Sequence, residues 1–294
     1  MIRLAALALL AAAAPAADQE AGYQVVPSKA DPAVKAFDDP SYIFAGDRLP
    51  ADAPLAVFLP GTNGKPAYNA GLMRFVAGLG YRAIALGYDN DPAVVQVCTT
   101  DPDPDCASDF REMRVFGTGK SRAVSNPRAE AIVPRLVALL RLLEREQPGR
   151  GWGRYLDGDS LNWGAILFSG QSQGAGMAAW IAKRHKVRRV VLFSSPWETS
   201  GRQRRPAPWI SGPSATPVAR WQAAYNSREN TVPLIRAAYA ALGLPAAQVH
   251  VLTLDLPPGF GANSPNPYHG AGIRDPRYAE LWRTMFGKGT DAPE

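Results

Sequence analysis

The sequence predicts an α/β fold in which a mostly parallel sheet is covered by helices on both faces. Three observations point there. Short runs of apolar, partly β-branched residues recur along the chain, separated by stretches of helical periodicity. Those runs are apolar enough to be buried on both sides, as strands of a parallel sheet are. No internal repeat divides the chain, and 294 residues with 46% hydrophobic and 20% charged side chains can bury one large core.

The first residues, MIRLAALALLAAAAPAADQE, set Arg3 ahead of an apolar stretch from Leu4 to Ala14 that ends in small residues. This reads as a signal peptide over residues 1–17, with 18–294 forming an exported domain, periplasmic or secreted. The stretch is too short to span a bilayer comfortably, and no later run approaches about 20 apolar residues, so no membrane span is expected. After a proline-dotted entry segment with the strand candidates YQVV and YIFA come the strand PLAVFLP, the helix NAGLMRFVAGLG ending on Gly80, and the strand YRAIALGY. NPRAEAIVPRLVALLRLLEREQPG is the longest helical pattern, with Asn126 as cap and Pro127 at the first helical position. Pro134 inside it should kink the helix or mark its true start. There follow the strand WGAILFS, the helix QGAGMAAWIAKRH, and the strand RRVVLFSS. Residues 196–217, rich in Pro, Ser, Gly and Trp, suit a cap or lid loop. The strand VARWQAAY, the helix TVPLIRAAYAALG, the strand QVHVLTLDL, a Gly/Pro loop and the helix PRYAELWRTMFG close the chain.

In an oxidising compartment the two cysteines, Cys98 and Cys106, are expected to form a disulfide. A metal site at that pair is not expected, because no histidine is near and zinc needs more ligands. The formal charge of +6 gathers in KRHKVRR, Lys183 to Arg189, and RQRR, Arg202 to Arg205. The first cluster falls where a helix should end, a position that favours cations. Nucleic acid is therefore not expected as a partner, although a polyanion-binding surface is a reading such clusters invite.

The segment Gly170-Gln171-Ser172-Gln173-Gly174 fits G-x-S-x-G between a strand and a helix. So tight a turn leaves no room for side chains beside a serine that must point outward. The helix start adds free N–H groups and a positive dipole end where an oxyanion would form. A serine hydroxyl needs a neighbouring base to act as a nucleophile. Of three histidines, His185 lies 13 residues on at the far end of the helix, nearly 20 Å away at about 1.5 Å per residue. His250 sits near the start of a strand, at the opposite end of the sheet. His269 follows the last strand in a loop able to reach over the strand ends.

With these residues in this order, the stretch from Pro54 to Phe286 resembles the α/β-hydrolase superfamily and is similar to secreted bacterial esterase or lipase-like members. The resemblance implies an eight-stranded, mostly parallel sheet and a Ser, acid, His order. It implies Ser172 as nucleophile and His269 as general base. Glu229, in the turn before Val232-Pro233, matches the acid; Asp255 and Glu198 remain competitors. The resemblance also implies an oxyanion hole from the Gln173 N–H and a donor in PGTNG, matched by Thr62, with Asn63 as the neighbour that could be confused with it. Trp197, Trp209 and Tyr268 fit either an acyl or aryl pocket or core or lid packing.

The expected function is a serine hydrolase that cleaves small-molecule or polymeric carboxylic esters through an acyl-enzyme on Ser172, with no metal or organic cofactor. The alternative is a non-catalytic binding protein on the same fold.

Overall fold

The computed structural model describes residues 22–46, 49–200, 205–261 and 263–291. The leader expected over 1–17, and Arg202 with its neighbours at 201–204, lie outside the described residues. Eight strands form the main sheet: β1 (Tyr23–Val25), β2 (Ser41–Phe44), β3 (Leu55–Leu59), β4 (Arg82–Ala85), β5 (Ile166–Gln171), β6 (Arg189–Phe193), β7 (Trp221–Asn226) and β8 (Val249–Leu252). Their spatial order is β1-β2-β4-β3-β5-β6-β7-β8, and every pairing is parallel except the two made by β2. This is the eight-stranded, mostly parallel sheet expected from the sequence.

Alternation along β3 shows why the sheet needs cover on both faces. Leu55, Val57 and Leu59 belong to one buried cluster while Ala56 and Phe58 belong to the other, and all five are fully buried. The period of two in a strand sends successive side chains to opposite sides. The principal helices are α1 (Ala70–Gly78), α2 (Cys106–Phe116), α3 (Ile132–Glu146), α4 (Gln173–Arg184), α5 (Val232–Ala241) and α6 (Ala279–Phe286). Apolar residues of α1 and α6 fill one cluster; those of α2, α3, α4 and α5 fill the other.

Two expectations need correction. The longest helix does not start at an Asn126 cap. Residues 128–130 form a separate 3₁₀ turn and α3 begins at Ile132, with Ala131 as its extended N-cap residue. Pro134 thereby falls in the first turn, where its missing N–H costs no intrahelical bond. The second correction is an omission, since α2 over Cys106–Phe116 was not anticipated. Its inner face carries Ala107, Phe110, Arg111, Arg114 and Val115, so two of its five buried positions are arginines.

Cys98 and Cys106 are joined by a disulfide that ties the short helix Val94–Cys98 to the start of α2. Within the basic cluster, Lys183 donates to the Gly212 carbonyl, Arg184 pairs with Glu112 and lies 3.8 Å over the Trp180 ring, and Arg188 donates to the Gly289 carbonyl. These cations are engaged within the fold. Among the described residues, no helix is long and apolar enough to cross a membrane.

Candidate active site

The parallel register brings five strand ends to one rim. Leu59 lies opposite Gly170, Gln171 opposite Phe193, Phe193 opposite Ala224, and Asn226 opposite Leu252. The segments leaving β3, β5, β6, β7 and β8 therefore begin side by side, at the carboxyl ends where open α/β sheets present their ligand sites.

Ser172 is the turn between β5 and α4, with φ 54° and ψ −125°. Its N–H donates to the Phe193 carbonyl at 2.9 Å, and its own carbonyl accepts the Gly176 N–H at 3.2 Å, so the turn is fixed from both sides. The flanking glycines are required by close approach. A Cβ on Gly170 would run into the Gly174 backbone, and one on Gly174 would run into the Leu59 carbonyl. No side chain larger than hydrogen fits at either position without moving β3 or α4.

His269 sits in a 3₁₀ turn over Pro267–Gly270, and its Nδ1 lies 2.6 Å from Glu229 Oε2. The Glu229 side chain is fully buried and that of His269 is about one-fifth exposed. Glu229 Oε1 accepts the Ser194 hydroxyl and the Asn226 N–H, each at 2.7 Å. With its Nδ1–H held by the carboxylate, the imidazole keeps Nε2 free to take up a proton. A further bond links this ring's loop to the serine turn, because the Gln171 side chain donates to the His269 carbonyl at 3.1 Å.

The PGTNG loop leaves β3 beside Ser172. A Cβ on Gly61 would lie only 3.0 Å from the Ser172 Cβ, and the Gly64 N–H closes a turn onto the Gly61 carbonyl at 2.9 Å. Asn63 and Thr62 are separated by their bonding: the Asn63 N–H donates to Asn90 Oδ1 at 2.9 Å, whereas no bond to the Thr62 N–H occurs among the described residues. Gln173 is the first residue of α4, so its N–H belongs to the first-turn donors that have no partner within the helix.

The competing carboxylates have other partners. Glu198 is buried in an ion pair with Arg111 and accepts the Trp209 indole N–H at 3.0 Å. Asp255 is largely exposed and pairs with Arg228. His185 stacks on Trp163 with ring centres 3.8 Å apart, and His250 Nε2 lies 2.8 Å from Gln222 Oε1. Trp197 lines a small cavity with Ser172, Gln173, Val94 and Val95, while Tyr268 accepts from Arg228 at 2.7 Å. A wider groove of about 560 Å³, walled by Phe116, Trp163 and His185, includes none of the rim residues in its lining.

Among the described residues, the non-glycine positions with left-handed φ are Asn63 at 57°, Ser172 at 54° and Ser194 at 56°. They stand in the segments leaving β3, β5 and β6, so the backbone strain of the described chain, glycines aside, is gathered at this rim. Sequence reasoning missed Ser194, Asn90 and the tether from Gln171. Each acts through a contact distant in sequence, and no local pattern announces such a contact.

No protein-family model matches the sequence, and no curated protein does. Among solved structures, the chain is similar to Thermogutta terrifontis esterase 2 phosphorylated by paraoxon. That match has 15% identity and a TM-score of 0.48, covering 92% of this chain and 96% of the other. It is also similar to a hormone-sensitive lipase from a metagenome library, at 15% identity and a TM-score of 0.43, covering 92% of this chain and 86% of that one.

Proposed function

We propose that the chain is a serine hydrolase of the α/β-hydrolase superfamily that cleaves carboxylic esters. Ser172 Oγ attacks the ester carbonyl carbon while His269 Nε2 takes its proton, and Glu229 holds the ring through Nδ1–H and stabilises the imidazolium. The carbonyl oxygen, now an anion, receives the Gln173 and Thr62 N–H groups. Collapse breaks the carbon–oxygen bond, and the alcohol leaves with the proton from His269. Water then attacks the acyl-enzyme with His269 again as base, which releases the acid and restores Ser172. Esters are the substrate class because this constellation supplies acyl transfer and esters need less leaving-group assistance than amides.

One observation carries the reading. A buried glutamate lies 2.6 Å from an imidazole whose loop is bonded to the residue next to a serine in a strained strand-to-helix turn. A protein that only binds has no need of that strain or of a buried carboxylate oriented on histidine. The disulfide between Cys98 and Cys106 supports an exported protein, periplasmic or secreted. Of the cap expected at 196–217, the part at Trp197 is proposed to flank this rim, because Trp197 lines the cavity beside Ser172, whereas Gly212, Ala215 and Thr216 bond to Lys183, Ala182 and His185 at the far end of α4.

Fluorophosphonate labelling combined with p-nitrophenyl ester hydrolysis tests the proposal. Wild type should label stoichiometrically and turn over, and Ser172→Ala should lose the label and about 10⁴-fold or more of kcat. A wild type that neither labels nor hydrolyses any ester of a short-to-long acyl series indicates the binding protein instead.

A further inference from the structure

Ser172 stands between two glutamines whose carboxamides reach to different loops. Gln171 holds the His269 carbonyl. Gln173, buried at 4% exposure, turns the other way: its Nε2 donates to the carbonyls of Asn90 at 2.7 Å and Pro92 at 3.1 Å, and its Oε1 accepts the Val94 N–H at 2.7 Å.

Asn90 continues the chain of bonds. It is 3% exposed, its Oδ1 accepts the Asn63 N–H at 2.9 Å, and its Nδ2 donates to the Gly64 carbonyl at 2.8 Å. Two buried carboxamides in series thus join the first residue of α4 to the loop that follows β3. The segment between them is braced independently by Arg114 of α2, which donates to the Asp89 carboxylate and to the Asp91 carbonyl. The root of the loop is held as well, since the Tyr88 hydroxyl donates to the Pro60 carbonyl at 2.7 Å.

The consequence of this bracing concerns two N–H groups that belong to different loops. A pair of donors stabilises an oxyanion only where both lie about 2.7–3.1 Å from the position the charged oxygen will occupy, so their mutual separation has to be fixed in advance. Left to itself, a loop of Gly, Thr, Asn and Gly would sample many separations. Fastening Asn63 and Gly64 removes that freedom. It also occupies the Asn63 N–H, which leaves the Thr62 N–H as the unengaged donor of the pair.

We propose that Asn90 is a positioning residue for the oxyanion hole, holding the Thr62 N–H at a set distance from the Gln173 N–H through the Gln173 side chain on one side and the 61–64 turn on the other. The inference rests on the acyl-transfer reading of this rim. It explains why Gln173 carries a long carboxamide although only its backbone is asked to meet the oxyanion.

A pair of matched substrates tests it: an aryl ester and the same ester with its carbonyl oxygen replaced by sulfur. Sulfur is larger and a poorer hydrogen-bond acceptor, so an oxyanion hole favours the oxygen compound. Asn90→Ala should lower kcat on the oxygen ester about 10–100-fold with little change in KM. The thiono ester should lose far less, so that the oxygen-to-sulfur rate ratio shrinks. Asn90→Asp has the same size and keeps an acceptor for the Asn63 N–H but loses the donor to Gly64; it should shrink the ratio too. Circular dichroism and thermal melting check that each variant folds.

Equal losses on both substrates, an unchanged ratio, or failure of both variants to fold would assign Asn90 a structural role and overturn the proposal. A wild type that hydrolyses neither ester and resists fluorophosphonate is a different failure, because it removes the acyl-transfer reading on which the proposal stands.

Discussion

Neither carboxylate oxygen of Glu229 is left for solvent: Ser194 and the Asn226 N–H bind Oε1, and His269 binds Oε2. Glu229→Gln keeps the shape and removes the charge that stabilises an imidazolium. Steady-state kinetics should show kcat falling about 10³- to 10⁴-fold with KM nearly unchanged and the fold intact. His250 offers a contrast in how burial acts on a ring with no carboxylate partner. Burial lowers its pKa below the ordinary histidine value of 6.5, so the unfolded chain binds the proton more readily than the folded one. Stability from this group is complete above pH 6.5 and falls as pH drops from there toward the lowered folded value. Thermal melting of Ser172→Ala at pH 7.5 and pH 5.5 should show that loss, and adding His250→Gln should make the difference smaller. At this scale the Ser172 turn and the pairing of His269 with Glu229 were legible, because turn chemistry and chain order mark them. The sequence prefers Glu229 to Glu198 and Asp255 only by analogy; in the structure Glu229 meets His269, whereas Glu198 pairs with Arg111 and Asp255 with Arg228. Asn90 was invisible, since an asparagine after a strand reads as a turn residue whichever loop it grips.

Helix α2 shows what the sequence hides between the residue and the fold. Its buried positions Ala107, Phe110, Arg111, Arg114 and Val115 have the spacing of one helical face, but two of them are charged. A search for apolar periodicity breaks at the arginines. Their burial is explained only by distant partners: Glu198 for Arg111, and Asp89 with the Asp91 carbonyl for Arg114. The start of α3 failed for a related reason, because Asn126-Pro127 has the chemistry of a cap yet serves a separate turn. The disulfide closes a loop with a sequence separation of 8 and anchors the segment that Gln173 grips at Val94. Replacing Cys98 and Cys106 together by serine should cost about 2.5 kcal/mol in the chain-entropy account. Denaturant unfolding, with and without reductant on the wild type, checks this, and the reduced wild type should approach the double variant.

For the molecule as a whole, eight strands and two helical layers were legible from alternating apolar and amphipathic segments, because burial on both faces leaves a pattern that needs no knowledge of partners. The spatial order of the strands has no local signal in the sequence, because it is set by pairings between segments far apart in the chain. At one edge of the described chain, Asn63, Ser172 and Ser194 all hold backbone angles that glycine adopts freely. Strain of this kind costs on the order of 1–3 kcal/mol at each position. Glycine at 172 should therefore raise the melting temperature by a few degrees, at about 1 kcal/mol for 2–4 °C in a chain of this size, while hydrolysis drops, whereas at 194 the lost bond from the hydroxyl to buried Glu229 should cancel the gain; differential scanning calorimetry beside an ester assay reads both. A lineage selected only for endurance in heat would drift toward glycine at 172 and keep an inert, sturdier shell. On the acyl-transfer proposal, a serine kept at 172 trades durability for chemistry at this corner of the chain.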